Sequence, residues 1–573
     1  MYDLLIRNAR LVDGTGAPAR GADLGVKDGR IAEIGALSGP ARQTIDAEGQ
    51  VLAPGFVDTH THYDAQLFWD PTLSPSSHHG VTTVVAGNCG FSIAPLSRDA
   101  APYLRSMLAR VEGMPEISLE TGVPWDWESF GDYLARVEGR VGVNMGVLCG
   151  HSALRRVVMG ERAQHAQASP EELERMKAML ATSIREGALG FSSSVSPTHN
   201  DAEGQPVPSR LASREELIAL ARVCGEHPGT LLELLPGVER FGAYEMDLMT
   251  DMSLAAGRSL NWNAVVVSAG NEAYLANQMA ASDHARRAGG EVVALVMVST
   301  PTVRLNLRSG FLLDSFEGWA EVFKLPIRER IAYLSDSGRR EALDRGAKAG
   351  TGATRSMANW ADYVIAASAD KSLEGKRIAD LAKARGVEAF DALLDIAIAD
   401  DLQTVFLAPH APDDDAIWAR RAALWRDDRA IVGASDAGAH LDMIDAFSYS
   451  TKLLSMARRP GLISVEEAVH RLTQAPARLV GLKDRGVLKE GWRADLVLFD
   501  PGTVGPGPTH ARYDLPGEEM RLYADATGVS HVIVNGCTTV QDGAHTGELP
   551  GHVLRSGRDT ETRSFAPRPL AGA

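Results

Sequence analysis

Eight short apolar runs alternate with helical stretches along most of the chain, and this alternation restricts the fold more than any other feature of the sequence. Helical stretches such as Glu171–Glu186 and Arg214–Cys224 separate the runs, and a Ser-x-x-Glu capping pattern at Ser213 precedes the second. Apolar strands that alternate with helices are typical of a buried parallel sheet, and eight such units predict an α/β protein with a (β/α)8 TIM barrel. The predicted strands are Val51–Asp58, Val81–Val85, Val141–Leu148, Ala188–Ser192, Thr230–Leu235, Leu260–Val267, Glu291–Val298 and Ala430–Asp436.

Both ends of the chain predict strands that lie outside this alternation. Short strand-like runs in the first fifty residues are separated by the turn signals Asp13-Gly14 and Asp28-Gly29, and similar runs occupy 494–499 and 531–536. Each set is too small to bury a core by itself. We therefore predict one β-sandwich domain built from residues 1–53 and 485–557, with the barrel at 54–484.

Two segments exceed what the barrel and the β-domain need. Residues 301–409 are too long for one strand-to-strand connection and contain helical stretches at 327–334, 373–385 and 390–400. An ordered insertion after a late barrel strand is expected to cover the active-site face. The residues from 558 to 573 are polar and rich in proline, which predicts a flexible tail.

The composition excludes several classes of protein. The 573 residues include 58 Lys plus Arg and 74 Asp plus Glu, so the net charge of −16 argues against a nucleic-acid or anionic-membrane partner. Four cysteines without a CxxC pattern exclude a disulfide scaffold and a zinc knuckle. The sequence has neither a signal-peptide pattern nor an apolar run of about 20 residues. We expect a cytoplasmic protein that acts on a small molecule, and the sequence leaves a homo-oligomer open.

The segment from Pro54 to His62 carries the sharpest chemical signal. An apolar strand ends there in His60-x-His62, and the two-residue period of a strand places both imidazoles on one side. Ligands and catalytic groups of a barrel gather at the carboxyl ends of its strands. The spacing therefore predicts a pair of Zn²⁺ ligands. The adjacent pair His78-His79 is not expected to ligate, because neighbouring side chains point in different directions.

Two more strand ends carry candidate ligands. Cys89 follows the second predicted strand in a glycine-rich turn, where it could offer a thiolate to a metal or be a small buried hydrophobe. Asp436 follows the last strand and could cap a helix, or could bind the metal and take a proton from water. The His-x-His pair favours the metal interpretation for both.

Three motifs together resemble the metal-dependent amidohydrolase superfamily. They are PGFVDTHTHYD, GVTTVVAGNCGFS and GASDAG, and the stretch from Gly486 to Val497 resembles the family's return into the β-sandwich. The chain looks like a divergent member of the branch that contains the N-acyl-D-amino-acid deacylases (D-aminoacylases). The resemblance covers nearly the whole chain. It implies a barrel that binds one or two divalent ions, usually zinc, and hydrolyses a C–N amide bond.

The resemblance also implies roles for individual residues. His60 and His62 match the first-strand metal ligands, and Cys89 matches a cysteine that replaces the superfamily's carboxylated lysine as a ligand. Asp436 matches the aspartate that binds metal and acts as general base and then general acid. His151 and Ser152 match a Gly-His-Ser loop near the substrate in deacylases, although His151 could equally be a capping or core histidine.

The chain departs from the deacylase pattern at the fifth and sixth strands. Both strands carry a histidine in the deacylases, and those two histidines hold a second metal ion together with the cysteine. Here the strands offer Glu233 and Asn263 instead. One ion is therefore favoured. Glu233 could replace a ligand or be a hydrogen-bonded barrel residue, whereas Asn263 is a poor ligand and is expected to orient the substrate.

A second departure concerns the substrate. Deacylases place an arginine after the last-strand aspartate to bind a free carboxylate, but residues 437–445 contain none. An N-acyl-D-amino acid is thus less expected as the substrate, although amide hydrolysis is not affected. His440 in this loop and His199 in the loop after the fourth strand are candidate substrate contacts, or ordinary loop histidines.

The sequence therefore predicts a zinc-dependent hydrolase that cleaves the amide bond of an N-acyl amino acid or related N-acyl amide. Asp436 would be the general base toward a water that the metal activates. Two alternatives stay open: a metal-dependent lactonase or cyclic amidase, and a non-catalytic binding protein of the same fold. The sequence lacks a Gly-x-Ser-x-Gly pattern, which weakens a serine-hydrolase interpretation.

Overall fold

A parallel eight-stranded barrel forms the centre of the protein. The computed structural model describes residues 1–310, 312–350, 352–409 and 413–563. Neighbouring strands pair in parallel, as at Phe56↔Val81, Thr83↔Asn144 and Ala294↔Ala430. A bridge from Thr61 to Ala437 closes the barrel between its first and last strands. The barrel strands are Phe56–Asp58, Val81–Ala86, Asn144–Val147, Gly190–Ser194, Leu231–Leu235, Leu260–Val265, Val292–Val296 and Ala430–Val432.

The helices between the strands cover the outside of the barrel. Ser213 accepts a hydrogen bond from the Glu216 N–H and so begins its helix where the capping pattern predicts. Outside the inserted segment the helices are Ala101–Val111, Glu116–Gly122, Phe130–Val137, His151–Met159, Pro170–Glu186, Arg214–Gly225, Ala243–Ala256, Glu272–Ala288, Asp415–Arg426, Tyr449–Met456, Val465–Leu472 and Gln474–Val480.

The first predicted strand is divided in two by Gly55. Val51–Pro54 belongs to the sheet of the terminal domain, and only Phe56–Asp58 belongs to the barrel. A Cβ atom at Gly55 would lie 2.1 Å from the Thr82 hydroxyl oxygen, so the chain passes too close to the second strand for a side chain there. The prediction of one continuous strand at 51–58 is corrected accordingly.

Both chain ends join in one nine-stranded sheet. Val51–Pro54 from the N-terminal part pairs antiparallel with Leu496–Phe499 from the C-terminal part. Its buried face carries apolar side chains from both parts, including Ile6, Leu24 and Leu496. The strands are Tyr2–Leu11, Arg20–Lys27, Arg30–Gly35, Ala41–Asp46, Val51–Pro54, Leu496–Phe499, Val529–Val534, Cys537–Gln541 and Ala544–His545.

The inserted segment has its own core and rests on the barrel face that holds the strand ends. Its core includes Trp319, Trp360 and Phe390, and Met443 and Ile444 from the loop after the last barrel strand join it. The segment contains the helices Ala320–Phe323, Ile327–Leu334, Ser337–Ala349, Gly352–Met357, Ile378–Arg385 and Ala389–Ala399, and the strands Arg304–Leu305, Val364–Ala367 and Val405–Leu407.

The first residues of the predicted tail are packed against the barrel. Thr560 is buried and donates its hydroxyl to the Gly229 carbonyl, and the Glu561 N–H bonds the Gly481 carbonyl. A flexible tail that begins at 558 does not fit these contacts, and the rest of the predicted tail, 564–573, lies outside the described residues. None of the helices among the described residues is both long and apolar enough to cross a membrane.

A candidate metal centre at the carboxyl ends of the barrel strands

His60 and His62 follow the first barrel strand and face the same carboxylate. Their Nε2 atoms lie 3.6 and 3.1 Å from the Asp436 Oδ1 atom, and both imidazoles are almost fully buried. The two rings meet edge to face with centroids 5.3 Å apart. The His-x-His spacing thus brings two imidazole nitrogens to one point beside an acidic side chain.

Cys89 lies beside the same two histidines at the end of the second strand. Its Sγ atom is 3.6 Å from His60 Nε2, and the ligand atoms of His60, His62 and Cys89 all lie within 4.8 Å of one another. Burial raises the pKa of the Cys89 thiol well above its usual range. A thiolate at this buried position therefore needs a cation beside it.

Asp436 faces three imidazoles from its place after the last strand. His440 Nε2 lies 3.7 Å from its Oδ2 atom, in addition to the contacts with His60 and His62. Burial opposes the charge on Asp436, but the nearby imidazoles of His60 and His62 outweigh it and hold the pKa of the carboxyl well below its usual range. Asp436 and Cys89 both have a positive φ, near 56° and 54°, a conformation that is uncommon for residues other than glycine.

The donor set fits a divalent transition-metal ion. Two imidazoles, a thiolate and a carboxylate are the ligand types that bind zinc. His60 Nδ1 and Glu233 Oε1 are buried without a hydrogen-bond partner among the described residues. In the same part of the chain, His60, His62 and Cys89 are the one group of three or more metal-binding side chains with ligand atoms close enough to share an ion.

Glu233 and Asn263 lie where the deacylase pattern has histidines, and both contact Cys89. The Glu233 Oε2 atom accepts a hydrogen bond of 2.8 Å from the Cys89 N–H. The Asn263 amide lies 3.7 Å from Cys89 Sγ and 3.2 Å from His60 Nε2. Burial raises the pKa of Glu233 to about 8. Both side chains thus hold the cysteine turn in place, and Glu233 keeps one oxygen free of hydrogen bonds.

The other predicted contact residues divide into two groups. His440 faces Asp436 directly. Burial lowers the pKa of His199 to about 3, and the charges of His440 and Asp436 have smaller effects on it, so His199 lies near the same cluster. His151 does not face this cluster. Its two ring nitrogens bond Ser193 and Glu216, each at 2.8 Å, and Ser152 accepts from the Ser209 N–H. A substrate contact for His151 does not fit this arrangement, because both ring nitrogens already have protein partners.

Two residues near the cluster were not predicted from the sequence. Glu112, directly after the helix Ala101–Val111, places Oε1 3.3 Å from His62 Nδ1 and is buried. Arg210, in the loop after the fourth strand, donates to the His199 carbonyl and makes no ion pair among the described residues. Glu112 did carry a sequence signal, because an acidic residue at the carboxyl end of a helix opposes the helix dipole.

Comparison with known proteins identifies the family. Residues 43–540 match the Amidohydrolase family, which is most of the chain. The chain belongs to the amidohydrolase family. The resemblance and the barrel fold drawn from the sequence are thereby confirmed, and this amidohydrolase is a divergent member of its D-aminoacylase branch.

Curated relatives and solved structures support the same branch. This amidohydrolase is 29% identical to a D-aminoacylase from Alcaligenes xylosoxydans xylosoxydans, over 96% of this chain and 97% of that protein. An uncharacterised Mycobacterium tuberculosis protein is 30% identical over 87% of this chain and 85% of its own length.

A crystal structure of D-aminoacylase superposes with a TM-score of 0.66 at 25% identity, over 97% of this chain and all of that one. The structure of N-acyl-D-glutamate deacylase from Bordetella bronchiseptica, with zinc and a phosphonate mimic of the tetrahedral intermediate, gives 0.64 at 27% identity and the same coverage.

Proposed function

We propose that this amidohydrolase cleaves the amide bond of an N-acyl amino acid or a related N-acyl amide with one zinc ion. The observation that carries the proposal is the convergence of His60, His62 and Cys89 with Asp436 at the carboxyl ends of three barrel strands. A zinc ion held by these residues would lower the pKa of a water from about 15.7 to about 7 and polarise the scissile carbonyl.

Asp436 is suited to move the proton in this reaction. Its side chain keeps 20% of its surface exposed, whereas the imidazoles of His60 and His62 are 1–2% exposed, so a substrate reaches the cluster on the aspartate side. The Asp436 carboxylate takes a proton from the attacking water at one oxygen and then gives it to the departing nitrogen. His440 lies beside Asp436 and Asn263 beside His60 and Cys89, where we expect both to orient the acyl group.

One ion is favoured over two. The side chains at the fifth- and sixth-strand positions, Glu233 and Asn263, bond the cysteine turn and neither is an imidazole. A solved D-aminoacylase structure is described in terms of one-metal activation and second-metal attenuation. A centre with a single ion and an open position is sufficient for hydrolysis.

The test joins metal content with activity. Purified protein and the variants His60→Ala and His165→Ala are analysed for bound zinc and assayed on N-acyl amino acids of both hands and on their neutral amides. His165 is an exposed histidine and serves as the matched control. We expect zinc and hydrolysis in the wild type and in His165→Ala, and the loss of both in His60→Ala. Hydrolysis that persists without metal would refute the proposal.

A further inference from the structure

Glu112 is a buried acidic residue whose surroundings disfavour a negative charge. It is the first residue after the helix Ala101–Val111, where the negative end of the helix dipole disfavours a carboxylate. Its side chain is about 3% exposed, and among the described residues its ion-pair partner is His62, not a lysine or arginine. Burial without a lysine or arginine partner, at the unfavourable end of a helix dipole, destabilises this carboxylate. We therefore expect its role to lie in the site that it faces.

The imidazole of His62 lies between two carboxylates. Glu112 Oε1 is 3.3 Å from Nδ1, and Asp436 Oδ1 is 3.1 Å from Nε2. Nε2 is also the atom that points toward His60 and the candidate metal position, since His60 Nε2 lies 3.6 Å from the same Asp436 oxygen. Neither ring nitrogen of His62 has a hydrogen-bond partner among the described residues, so the contact with Glu112 is an ion-pair distance. A small rotation of either side chain lets Nδ1–H donate to Glu112 while the lone pair of Nε2 faces the site.

The main chain at Glu112 is held by the loop that follows the neighbouring last strand. The Glu112 carbonyl accepts a hydrogen bond from the N–H of His440, in the loop that follows Asp436. The next residue, Gly113, has a φ of +59°, and a Cβ atom there would lie 3.3 Å from His440 Cα. Residue 112 thus joins the loop of the first strand, through its side chain, to the loop of the last strand, through its carbonyl.

We infer that Glu112 is a positioning residue for the metal centre, which holds His62 in the Nδ1–H form so that Nε2 ligates the ion. This inference rests on the proposed metal-dependent function. A carboxylate that accepts from the outer nitrogen of a metal-bound imidazole fixes the ring and strengthens it as a ligand, and its loss costs about 10–100-fold in metal affinity. The effect should be large here, because the fifth and sixth strands offer no further imidazole.

The test measures metal binding apart from catalysis. Metal-free protein is titrated with Zn²⁺ and with Co²⁺ against a chromophoric chelator, for the wild type, Glu112→Ala, Glu112→Gln and Glu116→Gln. Glu116 is exposed, lies four residues away and is the matched control. We expect Glu112→Ala to bind both ions about 10–100-fold more weakly and to change the Co²⁺ absorption spectrum. Glu112→Gln, whose amide oxygen can still accept from Nδ1–H, should recover most of the affinity, and Glu116→Gln should match the wild type.

Two results would overturn the inference. One is wild-type affinity and an unchanged Co²⁺ spectrum in Glu112→Ala. The other is an equal loss in Glu112→Gln and Glu112→Ala, since that would make the charge itself necessary, as for a direct ligand. If Glu112→Ala does not fold, the tautomer of His62 in zinc-loaded wild-type protein is read from ¹⁵N-histidine spectra. A proton on Nε2 would then refute the inference, and one on Nδ1 would support it.

The two proposals fail in different ways. A wild-type protein that binds no ion refutes the proposed function and the inference together. A wild-type protein that binds zinc and hydrolyses amides, with Glu112→Ala indistinguishable from it in affinity and spectrum, refutes only the role of Glu112.

Discussion

Two buried pairs of histidines lie close together in the chain but serve different purposes. His60 and His62, with Thr61 between them, turn their Nε2 atoms toward one carboxylate oxygen. His78 and His79 are adjacent and face different partners. His78 bonds the Tyr523 hydroxyl and stacks on His545, while His79 bonds Thr451 and the Ala524 carbonyl. The two-residue spacing is thus what makes a pair of imidazoles able to share an ion.

The electrostatic surroundings of the two pairs differ in the same way. Burial lowers the pKa of His78 to about 3 and that of His79 to about 4, so both are neutral hydrogen-bonding groups at pH 7. Burial also opposes a charge on His62, but Glu112 and Asp436 outweigh it and raise its pKa to about 9. His78 and His79 join the barrel to the antiparallel strand pair His510–Leu515 and Glu519–Tyr523 and to Ala524 after it. His60 and His62 lie beside carboxylates, which attract a cation.

The largest expected effect is the difference between substituting His62 in the first pair and His79 in the second. His62→Ala should lower zinc affinity by at least about 100-fold, more than the loss of a ligand's hydrogen-bond partner costs, and should abolish amide hydrolysis. His79→Ala should keep zinc and activity but lower the free energy of unfolding by about 2–3 kcal/mol, because two buried hydrogen bonds are lost. Bound metal, initial rates and urea unfolding measure the three quantities. A His79→Ala protein that loses zinc while folded would contradict the comparison.

Local patterns predicted the barrel and the strand ends at which His60, His62, Cys89 and Asp436 meet, because alternation and His-x-His spacing are properties of neighbouring residues. The position of Glu112 was not predictable in this way. It lies between the second and third strands, outside any strand end, and only the packing of that connection brings it to His62. The same holds for Glu233, since the closure of the barrel decides that its carboxylate meets the Cys89 N–H.

The second prediction uses pH. His79 has a folded-state pKa of about 4 against 6.5 for the unfolded chain, and Asp525 is the charged group that opposes this shift. Its neutral form stabilises the fold above pH 6.5, and this contribution falls as the pH drops below that value. By linkage, the shifted pKa of His79 should lower the free energy of unfolding by about 2 kcal/mol between pH 7 and pH 5.

The measurement is the free energy of unfolding against pH for the wild type, His79→Gln and the exposed control His165→Ala. Between pH 7 and pH 5, His79→Gln should lose about 2 kcal/mol less unfolding free energy than the wild type, and His165→Ala should follow the wild type. Equal slopes in the wild type and His79→Gln would show that His79 is not a buried neutral group.

The third prediction gives the metal centre the imidazoles that it lacks. In the double variant Glu233→His/Asn263→His, both new imidazoles lie next to Cys89 and can hold a second ion with it. We expect bound zinc after dialysis to rise from one to two ions per chain, whereas either single variant stays at one. Elemental analysis measures the ratio, and a correctly folded double variant that still holds one ion would contradict the assignment of these positions.

The smallest expected effect concerns the substrate's charge. Arg210 is partly buried beside His199 and makes no ion pair within the described part of the chain, so it can receive a carboxylate that the loop after Asp436 cannot. Arg210→Gln should raise the KM for N-acyl amino acids by about fivefold, the equivalent of about 1 kcal/mol for a partly exposed ion pair. The KM for the neutral amides should not change, and Arg222→Gln, at an exposed position on the helix Arg214–Gly225, is the control. Equal changes for charged and neutral substrates would place Arg210 in the scaffold of the loop, through its bond to the His199 carbonyl, and outside substrate recognition.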